Sequence, residues 1–206
     1  MSAPPDTVLA VSAEEAEAIR ERVRGADPAT YSPHSRIATA DDATDMLALL
    51  SDPRVSDPIY DLPRPFSLSS VTRWIEEAVA ARERGECLLF ANREEGELVG
   101  YSRITVWPDR SAAEIAGGKA ASRQNSGTAT RQGAGGSGAF GWIFATLGVR
   151  IMCLTAALDN VRSIRMIDAA GFRRMGQRQA VRPDGTTRQS VYWELTAEEW
   201  RRLHPA

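Results

Sequence analysis

The stretch SRQNSGTATRQGAGGSG occupies residues 122–138 and leads into FGWIFATLG, an apolar run at residues 140–148 that predicts a buried helix. Five of its seventeen residues are glycine, and most of the others are small or polar. Glycine leaves the backbone N–H groups uncovered, and the N-terminus of a helix favours negative charge. The stretch therefore indicates a loop that binds an anion.

Composition limits the classes of protein to consider. The chain has 206 residues, 43% hydrophobic and 25% charged, as expected for one globular domain. A formal net charge of −2 argues against nucleic acid as a partner. No apolar run approaches 18 residues and no signal peptide is present, so we expect a cytoplasmic protein without a membrane partner.

The cysteines and histidines indicate neither a disulfide nor a metal site. Cys87 and Cys153 each lie in an apolar run, which predicts two buried thiols in a reducing compartment. His34 and His204 lie near the two ends of the chain, and neither has the spacing to a cysteine that a metal site requires. We expect no metal cofactor.

The rest of the chain predicts a mixed α/β fold. Residues 1–34 read as an N-terminal extension, with a frayed start, a helix from Ser12 to Gly25 and a linker. Residues 35–206 then predict, in order, a strand, two helices, three strands, a helix, a strand, a helix, a strand pair and a short terminal helix. Tight turns are expected at Glu95-Gly96 and at PDGT, residues 183–186.

Three motifs occur in a fixed order around the glycine-rich stretch. Gln124-Asn-Ser-Gly127-Thr-Ala129 fits the pattern Q/R-x-x-G-x-G/A, and Asp159-Asn160-Val-Arg-Ser163 is followed by Ala170-Gly171-Phe172. Ala113-Glu114-Ile115 lies on a predicted strand upstream. In these motifs the chain resembles the GNAT superfamily of acetyl-CoA-dependent N-acetyltransferases. Within it the chain looks most like the branch of ribosomal-protein N-terminal (alanine) acetyltransferases. The likeness runs from Arg36 to the end of the chain.

This resemblance implies a fold, a co-substrate and a set of site residues. It implies the GNAT fold, a single domain built on a mixed sheet, and acetyl-CoA as co-substrate. Glu114 would act as the base that takes a proton from the amine, and Ser163 would protonate the departing thiolate. Asn160 would contact the thiol-bearing arm of acetyl-CoA. The diphosphate would be bound by the loop of Gln124, Asn125, Ser126, Gly127, Thr128, Ala129 and Thr130.

Other interpretations of the same residues stay open. The alternative for Glu114 is a solvated side chain on an alternating strand. For Ser163 it is a hydroxyl on a helix surface, and for Asn160 it is a helix N-cap. Many members of the superfamily place a tyrosine four residues after the serine, where this chain has Ile167. Residues 133–138 also spell G-x-G-x-x-G, but the polar SGTATRQ before them is a poor strand, which disfavours a dinucleotide site.

The sequence departs from the family pattern around the glycine-rich stretch. Small residues, Ala116, Gly117 and Gly118, stand where the family commonly has bulky ones, and the chain is about three residues longer before Leu147. Each glycine inside a helix costs up to about 1 kcal/mol relative to alanine. We therefore expect the following helix to begin late, near Gly138, or to be broken.

The expected activity is acetyl transfer to a primary amine, in particular to a protein N-terminus. The acceptor side would come from the irregular residues 52–66 and from the final hairpin. One alternative is a small amine such as an antibiotic or polyamine, which an acidic cleft of Asp57, Asp61 and Asp184 would favour. The other is a non-catalytic acyl-CoA-binding protein. The sequence leaves monomer and homodimer equally open.

Overall fold

Seven strands of the described residues form one mixed sheet. The computed structural model describes residues 3–124, 138–182 and 184–205. The strands are β1 (Ser35–Ile37), β2 (Cys87–Glu94), β3 (Glu97–Trp107), β4 (Ala112–Lys119), β5 (Ile151–Ala157), β6 (Arg173–Val181) and β7 (Thr187–Thr196). Their order across the sheet is β1-β2-β3-β4-β5-β7-β6. Only β4 and β5 run parallel, and every other neighbouring pair is antiparallel.

Helices cover both faces of this sheet. They are α1 (Ala13–Gly25), α2 (Pro28–Tyr31), α3 (Ala43–Leu50), α4 (Pro53–Ser56), α5 (Leu68–Glu83), α6 (Ala121–Gln124), α7 (described from 138 to 142 and continued by a π-helical turn, Ile143–Leu147), α8 (Val161–Ala169) and α9 (Ala197–Leu203). Short 3₁₀ turns precede α3 and follow β3. The mixed α/β fold expected from the sequence is confirmed.

Each face of the sheet has its own hydrophobic core. The core on the face that we call the α8 face joins α1, α7, α8 and α9 to the sheet and includes Ile19, Leu147, Ile167 and Trp200. The core on the opposite face, the α5 face, joins α3, α4 and α5 to it and includes Leu50, Val55, Trp74 and Ile75. The two cores hold the sheet between helices, so the site described below lies within a packed framework.

Several local predictions are confirmed. β2 and β3 form a hairpin whose two turn residues, Glu95 and Gly96, have φ values of 52° and 85°, as a tight two-residue turn requires. Ser12 caps α1 by accepting a hydrogen bond from the backbone N–H of Glu15 at 3.0 Å, and α1 ends at Gly25. The last hairpin joins β6 to β7, and the N–H of Arg182 donates to the Thr186 carbonyl at 2.7 Å where the chain turns.

The expectation of a frayed start was wrong for residues 5–7. Residues that were expected to fray are held against β7: Pro5 is buried, and the N–H groups of Asp6 and Thr7 donate to Glu194 Oε1 at 2.7 and 3.1 Å. A buried carboxylate requires such donors, and the chain's own N-terminal segment supplies them. The expected linker also contains a helical turn, α2, which Asp27 caps. The division of the chain at residue 34 stays a prediction.

Candidate active site

A gap opens in the middle of the sheet. β4 and β5 pair only at Ala112–Glu114 with Ile151–Cys153, after which β4 runs on to Lys119 beside β3, and β5 runs on to Ala157 beside β7. Within the described residues, neither strand has a strand partner across this gap. Backbone N–H and C=O groups along both edges can therefore bind something other than a strand.

Glu114 lies where the two strands part. Its side chain is only 5% exposed, and it projects on the α5 face. Oε1 accepts a hydrogen bond from the Thr155 hydroxyl at 3.2 Å, and Oε2 accepts one from the Tyr60 hydroxyl at 3.3 Å. A buried carboxylate needs donors of this kind, so the position is a built site for an acid and not a solvated strand position.

The glycines after Glu114 allow close packing beside it. A Cβ on Gly118 would lie 2.7 Å from Val55 Cγ1, and one on Gly117 would lie 2.5 Å from the Tyr101 carbonyl oxygen. Bulky residues at these two positions would push α4 and β3 away from β4. Their small size is therefore a packing requirement of this chain, and it brings the irregular residues 57–66 up to Glu114.

Tyr60 and Arg188 complete the site on the α5 face. Arg188 lies on β7, where its Nε donates to Ser190 Oγ at 2.9 Å and its Nη1 donates to the Pro58 carbonyl. Its guanidinium carbon lies 4.9 Å from the centre of the Tyr60 ring, a cation–π contact. Tyr60 thus touches both the carboxylate of Glu114 and the cation of Arg188. Sequence reasoning named the segment and the hairpin that supply these two residues but neither residue itself.

Cys153 lies directly opposite Glu114. Its thiol faces the Ala113 carbonyl at 3.7 Å, and burial, reinforced by the charge of Glu114, raises its pKa well above the ordinary value. Both Cys87 and Cys153 are buried thiols without a disulfide, as predicted. A thiol held in its protonated form is a poor nucleophile, so Cys153 contributes packing at this position.

Ser163 and Asn160 lie at the start of α8. Asn160 caps the helix, because its Oδ1 accepts a hydrogen bond from the backbone N–H of Ser163 at 3.1 Å. α8 packs on the α8 face, so Ser163 and Glu114 belong to opposite faces of the sheet, and no hydrogen bond joins them in the described chain. Ile167, at the position where many relatives have a tyrosine, is 3% exposed in the core. The roles predicted for Ser163 and Asn160 stay predictions.

Of the predicted diphosphate loop, only its first residue belongs to the described part of the chain. Gln124 is the last residue of α6, and Asn125, Ser126, Gly127, Thr128, Ala129 and Thr130 lie outside the described residues. α7 is helical from residue 138, and whether it begins there also lies outside them. The loop's contact with a diphosphate therefore stays a prediction.

The three aspartates expected to favour a cationic acceptor each lie near an arginine: Asp61 near Arg103, and Asp57 and Asp184 near Arg64. Asp61 makes a salt bridge to Arg103 at 3.1 Å. Asp184 accepts hydrogen bonds from the N–H and hydroxyl of Thr186, which lower its pKa, and Asp57 is exposed. In the described ranges, no group of three metal-ligating side chains occurs, and no helix is long and apolar enough to cross a membrane.

Comparison with known proteins gives one family and many similar structures. The family model for the acetyltransferase (GNAT) domain matches residues 36–173. Ribosomal-protein-S5-alanine acetyltransferase from Vibrio fischeri is 14% identical, with a TM-score of 0.64, over 81% of this chain and 93% of that chain. Mycobacterium smegmatis RimJ in complex with CoA-disulfide is 22% identical, with a TM-score of 0.63, over 84% of this chain and 83% of that chain.

A structure of another kind is equally similar. The structure of AAC(6')-Ib with paromomycin and acetyl-CoA is 21% identical, with a TM-score of 0.62, over 82% of this chain and 96% of that chain. None of the curated protein sequences matches the chain. At these identities the structures share the fold alone, whereas the family model spans well over half of the chain. The chain therefore belongs to the GNAT acetyltransferase family, in which acetyl-CoA is the co-substrate.

Proposed function

We propose that this chain transfers the acetyl group of acetyl-CoA to the N-terminal amine of a protein. The observation that carries the proposal is the buried carboxylate of Glu114 at the point where β4 and β5 part. A base at this position lies at the edge of the gap where the described pairing of β4 and β5 ends, and where backbone groups can bind an extended co-substrate.

The described residues fit acetyl-CoA. Acetyl-CoA supplies an acetyl thioester and carries amide groups along its thiol-bearing arm. The edges of β4 from residue 115 to 119 and of β5 from residue 154 to 157 offer N–H and C=O groups that match such amides. We assign the diphosphate to the loop from Gln124 to Thr130 and the arm to the vicinity of Asn160.

Glu114 would take the proton of the incoming ammonium, directly or through a water molecule. The hydroxyls of Tyr60 and Thr155 each donate to one of its oxygens, so they fix the orientation of the carboxylate. Backbone N–H groups of β4 after Glu114 would donate to the acetyl oxygen, where negative charge develops. Ser163 Oγ is the candidate proton donor on the thiol side of the gap.

A protein N-terminus fits this site better than a polycationic antibiotic. The similar structures include both a ribosomal-protein acetyltransferase and an aminoglycoside acetyltransferase, so similarity alone favours neither acceptor. A polycation requires several unpaired carboxylates. Asp61 is engaged by Arg103, and Asp184 is engaged by the turn that it caps. A protein N-terminus has one ammonium group, and the single carboxylate of Glu114 is sufficient to bind it and accept its proton.

The test separates binding from turnover. Acetyl-CoA is titrated by calorimetry, and the release of CoA thiol is then followed with peptides that begin with alanine or serine, with polyamines and with aminoglycosides. The matched control is the same peptides with an acetylated N-terminus. We expect turnover only of peptides with a free amine. Turnover of the small amines alone would overturn the proposed acceptor, and binding without any turnover would favour the non-catalytic alternative.

A further inference from the structure

Three arginines surround the loop that carries Tyr60. Arg64 precedes α5, Arg182 lies in the β6–β7 turn and Arg188 begins the inward face of β7; together we call them the arginine cluster. Each donates to backbone carbonyls of residues 56–59: Arg64 at 2.8 and 3.2 Å, Arg182 at 3.0 Å, and Arg188 through Nη1. Residues from two distant parts of the chain thus place three cations around one loop.

No carboxylate neutralises the arginine cluster at close range. In the part of the chain that the structure describes, none of its members makes a salt bridge, and the nearby Asp61 is engaged by Arg103. Asp57 and Asp184 act on Arg64, and Asp61 and Glu114 act on Arg188, only at longer range and without a salt bridge within the described residues. Burial lowers the pKa of both Arg64 and Arg188, and the charge of Arg182 lowers them further. Arginine nevertheless stays charged at neutral pH, so the cluster keeps its positive charge.

Arg188 is the innermost cation and has an unused donor. Its residue is 7% exposed, and its Nη2 is buried without a hydrogen-bond partner in the described chain, although Nε and Nη1 both have one. The Nε of Arg182 is likewise buried and without a partner there. A buried charged donor left without an acceptor is costly. A planar guanidinium with a spare N–H is the group that proteins use to bind carboxylates.

Tyr60 links this cation to the proposed base. The guanidinium of Arg188 lies against the Tyr60 ring, and the hydroxyl of the same ring bonds to Glu114. The two charged groups therefore lie on either side of one phenol side chain, on the same face of the sheet. An amine at Glu114 and an anion at Arg188 would belong to one or two adjacent residues of an acceptor.

We infer that the arginine cluster binds a carboxylate of the acceptor, close to the amine that is acetylated. The inference rests on the proposed function, because it places the amine at Glu114. The substrate class is an acidic amine, which has two sources: a protein whose first or second residue is Asp or Glu, or a free acidic amino acid. Arg188 is the residue that contacts the carboxylate, and Arg182 lies further out toward the hairpin turn.

The first experiment compares acceptors that differ only in charge. Peptides with Asp or Glu at position 1 or 2 are paired with the same peptides carrying Asn or Gln, and free aspartate and glutamate form a separate arm. We expect kcat/KM to be about tenfold or more higher for the acidic member of a pair. Equal values within twofold in every arm would overturn the inference. If only free aspartate and glutamate are preferred as acceptors, and not the acidic peptides, the carboxylate that the cluster binds belongs to a small acidic amine.

The second experiment assigns the preference to Arg188. We expect Arg188→Gln to reduce the acidic preference to below about twofold, since an amide cannot supply the charge. The matched control is Arg174→Gln, which lies beside Trp193 on the α8 face and should keep the preference. Should Arg188→Gln fail to fold by circular dichroism, Arg182→Gln serves instead and should reduce the preference severalfold. An unchanged preference in the folded variant would contradict the assignment.

A binding measurement separates this inference from the proposed function. N-acetylated peptides that begin with Asp or Asn are titrated by calorimetry into the full chain with CoA present. Tighter binding of the acidic product without turnover of any peptide would support the carboxylate site and refute the transferase proposal. Turnover of peptides, together with equal binding of the Asp and Asn products, would support the transferase proposal and refute the carboxylate site.

Discussion

Replacing Glu114 by glutamine tests the centre of the proposed mechanism. The substitution keeps the size of the side chain but removes the group that would accept the proton of the amine. Loss of a positioned general base lowers a rate by about 10²–10⁴-fold. We therefore expect the rate of acetyl transfer by Glu114→Gln to fall by this factor, which corresponds to about 3–5 kcal/mol in activation free energy.

The same substitution should disturb the fold little. The carboxylate of Glu114 accepts one hydrogen bond from Thr155 and one from Tyr60, at 3.2 and 3.3 Å. In glutamine the amide oxygen can accept one of these, and the other hydroxyl can rotate to accept from the amide N–H. The expected loss is about 1 kcal/mol of a domain's stability of about 5–15 kcal/mol. The fall in rate would then not reflect unfolding.

Single-turnover measurement makes this prediction decisive. Release of CoA thiol from a pre-formed complex reports the transfer step without product release, and calorimetry should give an unchanged Kd for acetyl-CoA. Thr155→Val is the matched control, because it removes one hydrogen bond to Glu114 and keeps the carboxylate; its rate should fall less than about tenfold. A transfer rate of Glu114→Gln within fivefold of the parent would refute the role of Glu114 as the base.

Three further predictions follow from the packing. Burial opposes ionisation of Asp42, but hydrogen bonds from two arginines and a backbone N–H outweigh it and lower its pKa. This stabilisation is therefore present at neutral pH and is lost as the pH falls through the lowered pKa. We compare Asp42→Asn with the parent by urea denaturation at several pH values. Asp42→Asn should lose about 2–3 kcal/mol of stability at pH 7 and show a weaker fall in stability below about pH 4, whereas exposed Asp41→Asn should change little. Gly138→Ala should raise the melting temperature, because a Cβ there meets no described residue within 4 Å and alanine favours the helix by up to about 1 kcal/mol. Gly118→Ala should lower the melting temperature, because its Cβ would lie 2.7 Å from Val55 Cγ1 and cost about 1–3 kcal/mol of stability; the opposite order would contradict both. Cys153 should resist iodoacetamide in the native protein and react in urea, as followed by mass spectrometry; rapid native labelling would argue against its burial.

Local features of the sequence were sufficient for most of the framework. The Glu95-Gly96 turn, the Ser12 cap and the strand that carries Glu114 each depend on a few neighbouring residues, and each is found where it was predicted. The motifs around Asn160 and Gly171, which indicated the family, are likewise short stretches of neighbouring residues. The free energy of forming a turn, a cap or a strand depends mainly on a few neighbouring residues, so a short sequence pattern is enough to predict it.

The residues around Glu114 could not be found in this way. Tyr60 comes from a proline-rich segment without periodicity, and Arg188 comes from a hairpin that follows it by more than a hundred residues. Their contact depends on the packing of α4 against Gly118, which only the folded chain defines. One signal was available: every second residue of β7 from Arg188 to Glu194 is polar. Such a stripe is ordinarily taken as a solvated face, yet here it is buried.

That buried polar stripe contains two charges which the chain treats differently. Glu194 receives hydrogen bonds on Oε1 from Asp6, Thr7 and Tyr192; although burial opposes its ionisation, these bonds outweigh it and lower its pKa. At Arg188 burial prevails and lowers the pKa. Within the described residues, Nη2 of Arg188 and Oε2 of Glu194 are both buried without a hydrogen-bond partner, so the difference between the two charges lies in the direction of their pKa shifts. The N-terminal segment thus stabilises the charge at one end of the stripe, while the charge at the other end is left destabilised. A carboxylate arriving with the acceptor would supply at Arg188 what the backbone N–H groups supply at Glu194.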